Sequence, residues 1–168
     1  MSHQEHKESA DGVSARCAVI TLSDTRTEAD DRSGRHIREL LTDAGHEVIT
    51  YKIIPDEPQQ LASLCAGFLQ DDRIDTILTN GGTGISRRDR TIEAIEKLID
   101  QPLPGFGELF RMLSWQEIGS AAMLSRAVGG IAGGKLIFAM PGSTAAVELA
   151  MSKLILPELR HLLRELRK

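Results

Sequence analysis

The residues best equipped for chemistry run from Asp75 to Thr91, Asp-Thr-Ile-Leu-Thr-Asn-Gly-Gly-Thr-Gly-Ile-Ser-Arg-Arg-Asp-Arg-Thr. Gly81, Gly82 and Gly84 let backbone N–H groups approach a ligand that a Cβ would keep away, and successive N–H groups in a turn form an anion-binding concavity. On the glycines alone an ordinary surface turn reads equally well. Arg87, Arg88, Arg90 and Asp89 favour phosphate, because a mere turn needs no such collection. Upstream, Asp56 in Pro55-Asp56-Glu57-Pro58 sits between a strand end and a helix start, where helix capping is the simpler role. Set beside phosphates, Asp56 and Asp89 instead suggest Mg²⁺ held jointly by protein and substrate oxygens. Phosphoryl or nucleotidyl transfer needs that combination, together with in-line positioning and a cation from one of the arginines. The loop lacks the Gly-Lys-Ser/Thr of a P-loop, and it is not the Gly-x-Gly-x-x-Gly that opens a helix at once.

The elements that must hold these residues alternate in type. Arg16 to Ser23 reads as a strand buried on both faces, ending in Ser23-Asp24-Thr25. Ser33 offers an N-cap to a helix with Ile37, Leu40, Leu41 and Ala44 on one face, closed by Gly45. His46 to Ile54 is a second strand, and Pro58 opens a second helix carrying Leu61, Leu64, Cys65 and Phe68. Ile74 to Thr79 is the third strand and delivers the glycine loop. Three strand–helix alternations imply βαβ units and a parallel sheet, whose ligand crevice lies beyond the carboxyl ends of the strands. Ser23, Asp24, Asp56 and the segment from Gly81 to Asp89 all follow strands at that edge.

Further along, Ile92, Ile95 and Leu98 or Ile99 mark a helix that ends before Pro102 and Pro104. Pro104-Gly105-Phe106-Gly107-Glu108 enters another, with Phe106, Leu109, Phe110 and Leu113 on one face and a short helical run to Leu124; its glycines read as helix-entry punctuation. Lys135 to Met140 is a clear strand, paired in a hairpin turning at Gly133-Gly134, which makes part of the sheet antiparallel. Pro141-Gly142-Ser143-Thr144 is a second strand-to-helix junction, where helix N–H groups can receive an anion or Ser143 can simply cap. Two terminal helical stretches, separated at Pro157, complete an α/β three-layer sandwich: a mostly parallel sheet, helices on both faces, and a small antiparallel part. Residues 1–15 read as a flexible N-terminal tail and 16–168 as a single domain.

At 168 residues, 41% hydrophobic and 26% charged, the composition is that of a globular domain, neither disordered nor membrane-spanning. A net charge of −4 argues against bulk binding to nucleic acid. The polar N-terminus carries no apolar signal core, and Cys17 and Cys65 fall in apolar surroundings without a Cys-x-x-Cys spacing, which fits a reducing cytoplasm. The five histidines are scattered, so no zinc site emerges.

Five ordered segments together carry a family resemblance: Thr79 to Asp89, Ile54 to Glu57, Pro104 to Glu108, Leu124-Ser125-Arg126 and Met140 to Ser143. From about residue 16 to 160 the chain resembles the molybdopterin adenylyltransferases of the MoaB/MogA type. Gly105 to Trp115 and Leu136 to Ser143 look closer to the MoaB branch, whereas Asp56 and Arg87-Arg88-Asp89 look like the MogA branch. Asn80 departs from the Thr frequent at that position. The resemblance implies a molybdopterin-binding α/β domain that uses Mg²⁺ and ATP to adenylylate molybdopterin, releasing pyrophosphate and preparing the dithiolene for metal insertion. It implies catalytic and metal-binding roles for Asp56 and Asp89. It implies substrate-binding roles for Ser23, Asp24, Asn80, Gly81, Gly82, Thr83, Gly84, Ser86, Arg88, Glu108, Ser125, Pro141, Gly142 and Ser143. Implied partners are a downstream molybdenum insertase and further copies of the chain, as a homotrimer or homohexamer through the apolar Phe106 to Leu124 segment. The competing readings are a non-catalytic molybdopterin carrier or scaffold, which the presence of both carboxylates disfavours, and hydrolase or insertase uses of the fold, which usually belong to longer chains.

Overall fold

The computed structural model describes residues 12–168. The chain runs β1 (Arg16–Leu22), α1 (Arg32–Asp43), β2 (Glu47–Ile54), α2 (Pro58–Gln70), β3 (Thr76–Asn80), α3 (Thr91–Glu96), β4 (Gln101–Pro102), α4 (Pro104–Ile118), a 3₁₀ turn (Gly119–Leu124), β5 (Val128–Ala132), β6 (Lys135–Met140), α5 (Thr144–Ala150), a π-helical turn (Met151–Ile155) and α6 (Leu156–Leu166). The strands form one six-stranded sheet in the order β2-β1-β3-β6-β5-β4. The first four are parallel, and β5 and β4 add on antiparallel. The expected hairpin is present, its turn made by Gly133 and Gly134 with φ of 53° and 74°, both in the left-handed region a tight two-residue hairpin turn requires.

Alternation along the strands divides the apolar side chains between two faces. Cys17, Val19, Leu78, Leu136, Phe138 and Met140 pack with α1, α4, α5 and α6. Ala18, Ile20, Leu22, Ile77, Ile137 and Ala139 pack with α2 and α3. Helices therefore cover both faces, as the continuous apolar runs demand. Both cysteines are fully buried free thiols whose pKa burial raises strongly, so neither is poised for chemistry.

Three local expectations change. Asp31, not Ser33, caps α1: its carboxylate accepts from Gly34 N–H at 3.0 Å, which leaves the Ser33 hydroxyl free for another partner. Pro157 does not separate two helices. The chain passes from α5 through the π turn into α6 without a break, and Pro157 falls just after the π turn, where the wider helical register accommodates it. The expected tail lies mostly on residues 1–11, outside the described residues, and the chain is already anchored at its far end. Ala15 is buried, its N–H donating 3.0 Å to His46 Nδ1 and its carbonyl accepting from Glu47 N–H.

His46 makes this anchor sensitive to pH. Burial, helped by the Arg160 guanidinium and opposed by Asp75, holds its pKa below the ordinary histidine value. A neutral ring is also what lets Nδ1 accept from Ala15. The unfolded chain therefore binds the proton more readily, so the stabilisation is complete above about pH 6.5 and is lost progressively as the pH falls below it through the lower pKa of the folded state. Urea unfolding across pH 5–7.5 should show stability declining toward acid with a His46 contribution of at most about 1.4 kcal/mol per pH unit. His46→Gln should remove that contribution, and a wild-type slope in the variant would contradict the assignment.

Candidate functional site

Register brings the loops together. Leu22 is paired with Ile54, Thr21 with Asn80, and Asn80 with Met140, so β1, β2, β3 and β6 end level with one another. The chain order reverses direction at β1, which places the crevice between β1 and β3. The loops then lock: Ser23 N–H donates to Ile54 O and Gly81 N–H to Met140 O. Gly81, at φ +98°, packs so closely that a Cβ there would stand 2.3 Å from Leu22 O, and one on Gly142 would stand 3.0 Å from Gly81 Cα. The backbone approach inferred from the glycines is thus real, and its first use is to bring three loops within contact.

Both carboxylates lean against loop glycines. A Cβ on Gly82, itself at φ +63°, would lie 2.3 Å from both Asp56 Oδ1 and Thr91 Oγ1, and a Cβ on Gly84 would lie 2.7 Å from Asp89 Oδ2. Asp89 Oδ2 accepts from Ser86 N–H at 3.0 Å, while Asp56 Oδ1 is buried without a hydrogen-bond partner. Desolvation pushes the Asp56 carboxyl above its usual range. The charges of Asp24, Asp89 and Glu57 add to that push, and Arg88 opposes it. A buried, unpartnered carboxylate oxygen among other acids is a position a cation would relieve. No three acid, histidine or cysteine side chains converge as a closed metal cage among the described residues. Asp56 and Asp89 fit Mg²⁺ in particular, because that ion takes one or two carboxylates and fills its remaining positions with water and phosphate oxygens. Opposite them, the N–H groups of Gly82, Thr83 and Gly84 have no acceptor within the described protein.

Flanking residues set the loop's shape. Asp24 accepts from Asp56 N–H at 3.1 Å, and Arg88 bridges Asp24 at 2.8 Å and Glu57 at 3.1 Å. Such exposed pairs contribute at most about 1 kcal/mol, so they orient the rim more than they stabilise it. Ser143 caps α5 by accepting from Ala146 N–H, which leaves its hydroxyl proton free. Ser23 Oγ likewise accepts from the N–H groups of Thr25 and Arg26.

The structure separates several of the expected site residues. Asn80 is fully buried and donates to Ile20 O and Thr21 Oγ1, so it ties β3 to β1 and does not face the crevice. Its side chain is spent within the sheet, and the loop first becomes accessible at Gly82. Glu108 stands in a cleft beyond Arg126, away from Asp56. Ser125 leads into that arginine, its N–H donating to Ala122 O.

Two groups went unrecognised in the sequence. Arg126 holds the loop from outside, donating to Thr83 O at 3.0 Å, Gly84 O at 2.6 Å, Asp89 O at 2.9 Å and Glu93 at 2.7 Å. Each bond from a charged donor is worth about 1.5–3 kcal/mol before solvent screening, so this guanidinium is the main clamp on the loop. Its signal was its place in Leu124-Ser125-Arg126, though local spacing could not say what it reached. The second group is built on Asp31. Burial raises its pKa, but hydrogen bonds from Thr21, Tyr51 and Gly34 and the Arg26 charge outweigh that and keep it ionised. Arg26 and Ser33 then both donate to Gly142 O, at 3.1 and 2.6 Å, fixing the junction that presents Ser143.

Residues 18–161 match the family described as a probable molybdopterin binding domain. The chain is 53% identical over 170 residues to "Molybdenum cofactor biosynthesis protein B" of Bacillus cereus, covering 100% of this chain and 99% of that one. A crystal structure of a protein with the same name superimposes with a TM-score of 0.90 at 52% identity, covering 92% of this chain and 97% of the other. The tungsten cofactor synthesizing protein MoaB from Pyrococcus furiosus gives 0.81 at 38% identity, covering 92% and 98%.

Proposed function

Because the chain belongs to the family of probable molybdopterin binding domains, we propose that it acts in molybdenum cofactor biosynthesis as a molybdopterin adenylyltransferase. In this reaction the terminal phosphate of molybdopterin attacks the α-phosphorus of ATP. A phosphorus–oxygen bond forms, the α–β bridge breaks, and pyrophosphate leaves with the bridging oxygen; no redox partner is needed.

The observation that supports this reading is the buried, unpartnered Asp56 oxygen and the Asp89 carboxylate, both packed against a glycine loop whose N–H groups lack acceptors among the described residues. The N–H groups of Gly82, Thr83 and Gly84 bind phosphate oxygens, and the free protons of Ser23, Ser86 and Ser143 hold those nearer the α5 N-terminus. Pro141 and Gly142 form the α5 junction, which packs against Gly81 and is held at the Gly142 carbonyl by Arg26 and Ser33. Asp24 and Arg88 hold the rim. Asp56 and Asp89 would bind Mg²⁺, which when present neutralises charge that builds up on the phosphates. Catalysis is then mostly positioning and electrostatics, the form phosphoryl chemistry takes.

Purified protein given molybdopterin and Mg-ATP should yield adenylylated molybdopterin and pyrophosphate. Asp56→Asn and Asp89→Asn should each lower turnover on the order of 10²–10³-fold with unfolding behaviour retained. Wild-type rates in both would remove the catalytic assignment, and ligand binding with no pyrophosphate release would favour a carrier that passes molybdopterin to an insertase.

The same reading includes self-association. Leu109, Met112, Trp115, Ile118, Met123 and Leu124 form an exposed apolar strip along α4 and the 3₁₀ turn, with Trp115 61% and Met123 80% exposed. So much apolar surface on one helix marks an interaction face, and copies of this chain are its proposed occupants, as a trimer or hexamer. Trp115→Glu should shift sedimentation of the whole protein toward monomer; a wild-type protein that sediments as a monomer at every concentration would contradict it.

A further inference from the structure

One fully buried acid has no part in the proposed transfer. Asp31 is completely enclosed, yet its carboxylate is already satisfied by the Gly34 N–H at 3.0 Å, the Tyr51 hydroxyl and the Thr21 hydroxyl. Thr21 has its one proton to give because its oxygen accepts from Asn80 at 2.9 Å, so the amide at the end of β3 orients the whole chain of bonds. The packing leaves no slack: a Cβ on Gly34 would stand 2.2 Å from Asp31 Oδ2 and 2.6 Å from Thr21 Oγ1. Asp31 therefore needs no guanidinium for its own satisfaction. Its ion pair with Arg26, at 3.4 Å, comes in addition.

The consequence falls on Arg26. Its backbone N–H donates to Ser23 Oγ and its Nη2 to Gly142 O, while Nη1 turns to Asp31. The guanidinium is thereby set where the loops after β1, β3 and β6 meet, since a Cβ on Gly142 would stand 3.8 Å from Arg26 Nη1 and 3.0 Å from Gly81 Cα. A guanidinium carries five N–H groups. The Nε proton and one on each terminal nitrogen have no acceptor among the described residues, and the side chain is 34% exposed.

The other arginines at this edge are placed differently. Arg88 is committed to Asp24 and Glu57, and Arg126 to the loop carbonyls. Arg90 lines a recess between α2 and α3 with Pro58, Ala62 and Lys97. Arg87 is exposed, and no contact with another described residue fixes it. Arg26 alone among these combines unspent donors with a side chain already held in place. Such a cation needs no reordering when charge develops beside it, and its planar fork matches two phosphate oxygens at once. The acidic side of the crevice, at Asp24, Asp56 and Asp89, accepts phosphates only with a metal, whereas the Arg26 side attracts them unaided. We propose that Arg26 donates to a phosphate on the Ser143 side of the crevice, and that Asp31 is its positioning residue. The proposal rests on the adenylyl-transfer reading for which phosphates arrive, those of ATP or the monoester of its co-substrate, and both offer the guanidinium the same oxygens.

The test measures equilibrium binding of Mg-ATP and of molybdopterin to the whole protein. Arg26→Met should weaken one of the two by about tenfold or more, with Arg26→Lys in between because it keeps the charge and loses the fork. A loss for Mg-ATP assigns the triphosphate and a loss for molybdopterin assigns the monoester; wild-type affinity for both overturns the proposal. Ser33→Ala removes the other donor to Gly142 O and should cost clearly less than Arg26→Met. An equal loss would mean that Arg26 acts only through the junction, and would also overturn it. Asp31→Asn keeps a capping side chain for α1 but not the charge, and should weaken the same ligand as Arg26→Met. Unchanged or tighter binding, the result of merely removing a negative charge, would overturn the role of Asp31; where that variant fails to fold, the Arg26 and Ser33 variants decide. The transfer reading is judged separately. Binding that depends on Arg26 without any adenylylated product keeps the contact and removes the transferase, whereas full transfer with unchanged constants in Arg26→Met removes the contact alone.

Discussion

The site depends on one close approach, the Asp56 carboxylate pressed against the α-carbon of Gly82. A side chain at Gly82 would occupy the space that Asp56 Oδ1 and Thr91 Oγ1 already share. That approach is possible only because β1, β2 and β3 end in register, which delivers Asp56 and the glycine loop to the same level of the sheet edge. It leaves a carboxylate oxygen buried, unpartnered and surrounded by Asp24, Asp89 and Glu57. The rest of the edge sustains this unfavourable arrangement: Arg88 spans the outer acids, Arg126 holds the loop by its carbonyls, and the Asp31 network fixes Gly142.

Much of this was legible in local sequence, because the signals concerned are local. Buried parallel strands need uninterrupted apolar runs, and these runs placed β1, β3 and β6 and the polar loops that follow them. The glycines announced a close backbone approach, and Asp56 and Asp89 stood out as acids at strand-to-helix junctions. What escaped depends on contacts between distant residues. Arg126 reaches a carbonyl 43 positions away, a partnership no spacing rule can reveal. Asp31 displaced Ser33 as the α1 cap because its carboxylate also serves Tyr51 and Arg26, so the cap and the network were settled together. Asn80 was expected to touch the ligand because it adjoins the glycines, yet the pleat turns its amide inward to Thr21. Pro157 was read as a helix break, and the π turn before it let the helix continue.

Two recesses open on either side of Arg126. At the strand ends, backbone N–H groups and an underpaired acidic cluster suit phosphates that arrive with a cation. Beyond Arg126 lies a cleft lined by α3, β4 and the start of α4. Arg126 touches both, so the loop's shape and the cleft's shape are set by the same side chain.

The central claim is that Asp56 is held in readiness for a cation and the phosphates that accompany it, and its own titration reports on this most directly. With ¹³C-labelled aspartate, the Asp56 carboxyl of the free protein should titrate above the ordinary value near 3.9, and saturating Mg-ATP should move it well down as the neighbouring charge is neutralised. A carboxyl that titrates identically with and without Mg-ATP would contradict the account.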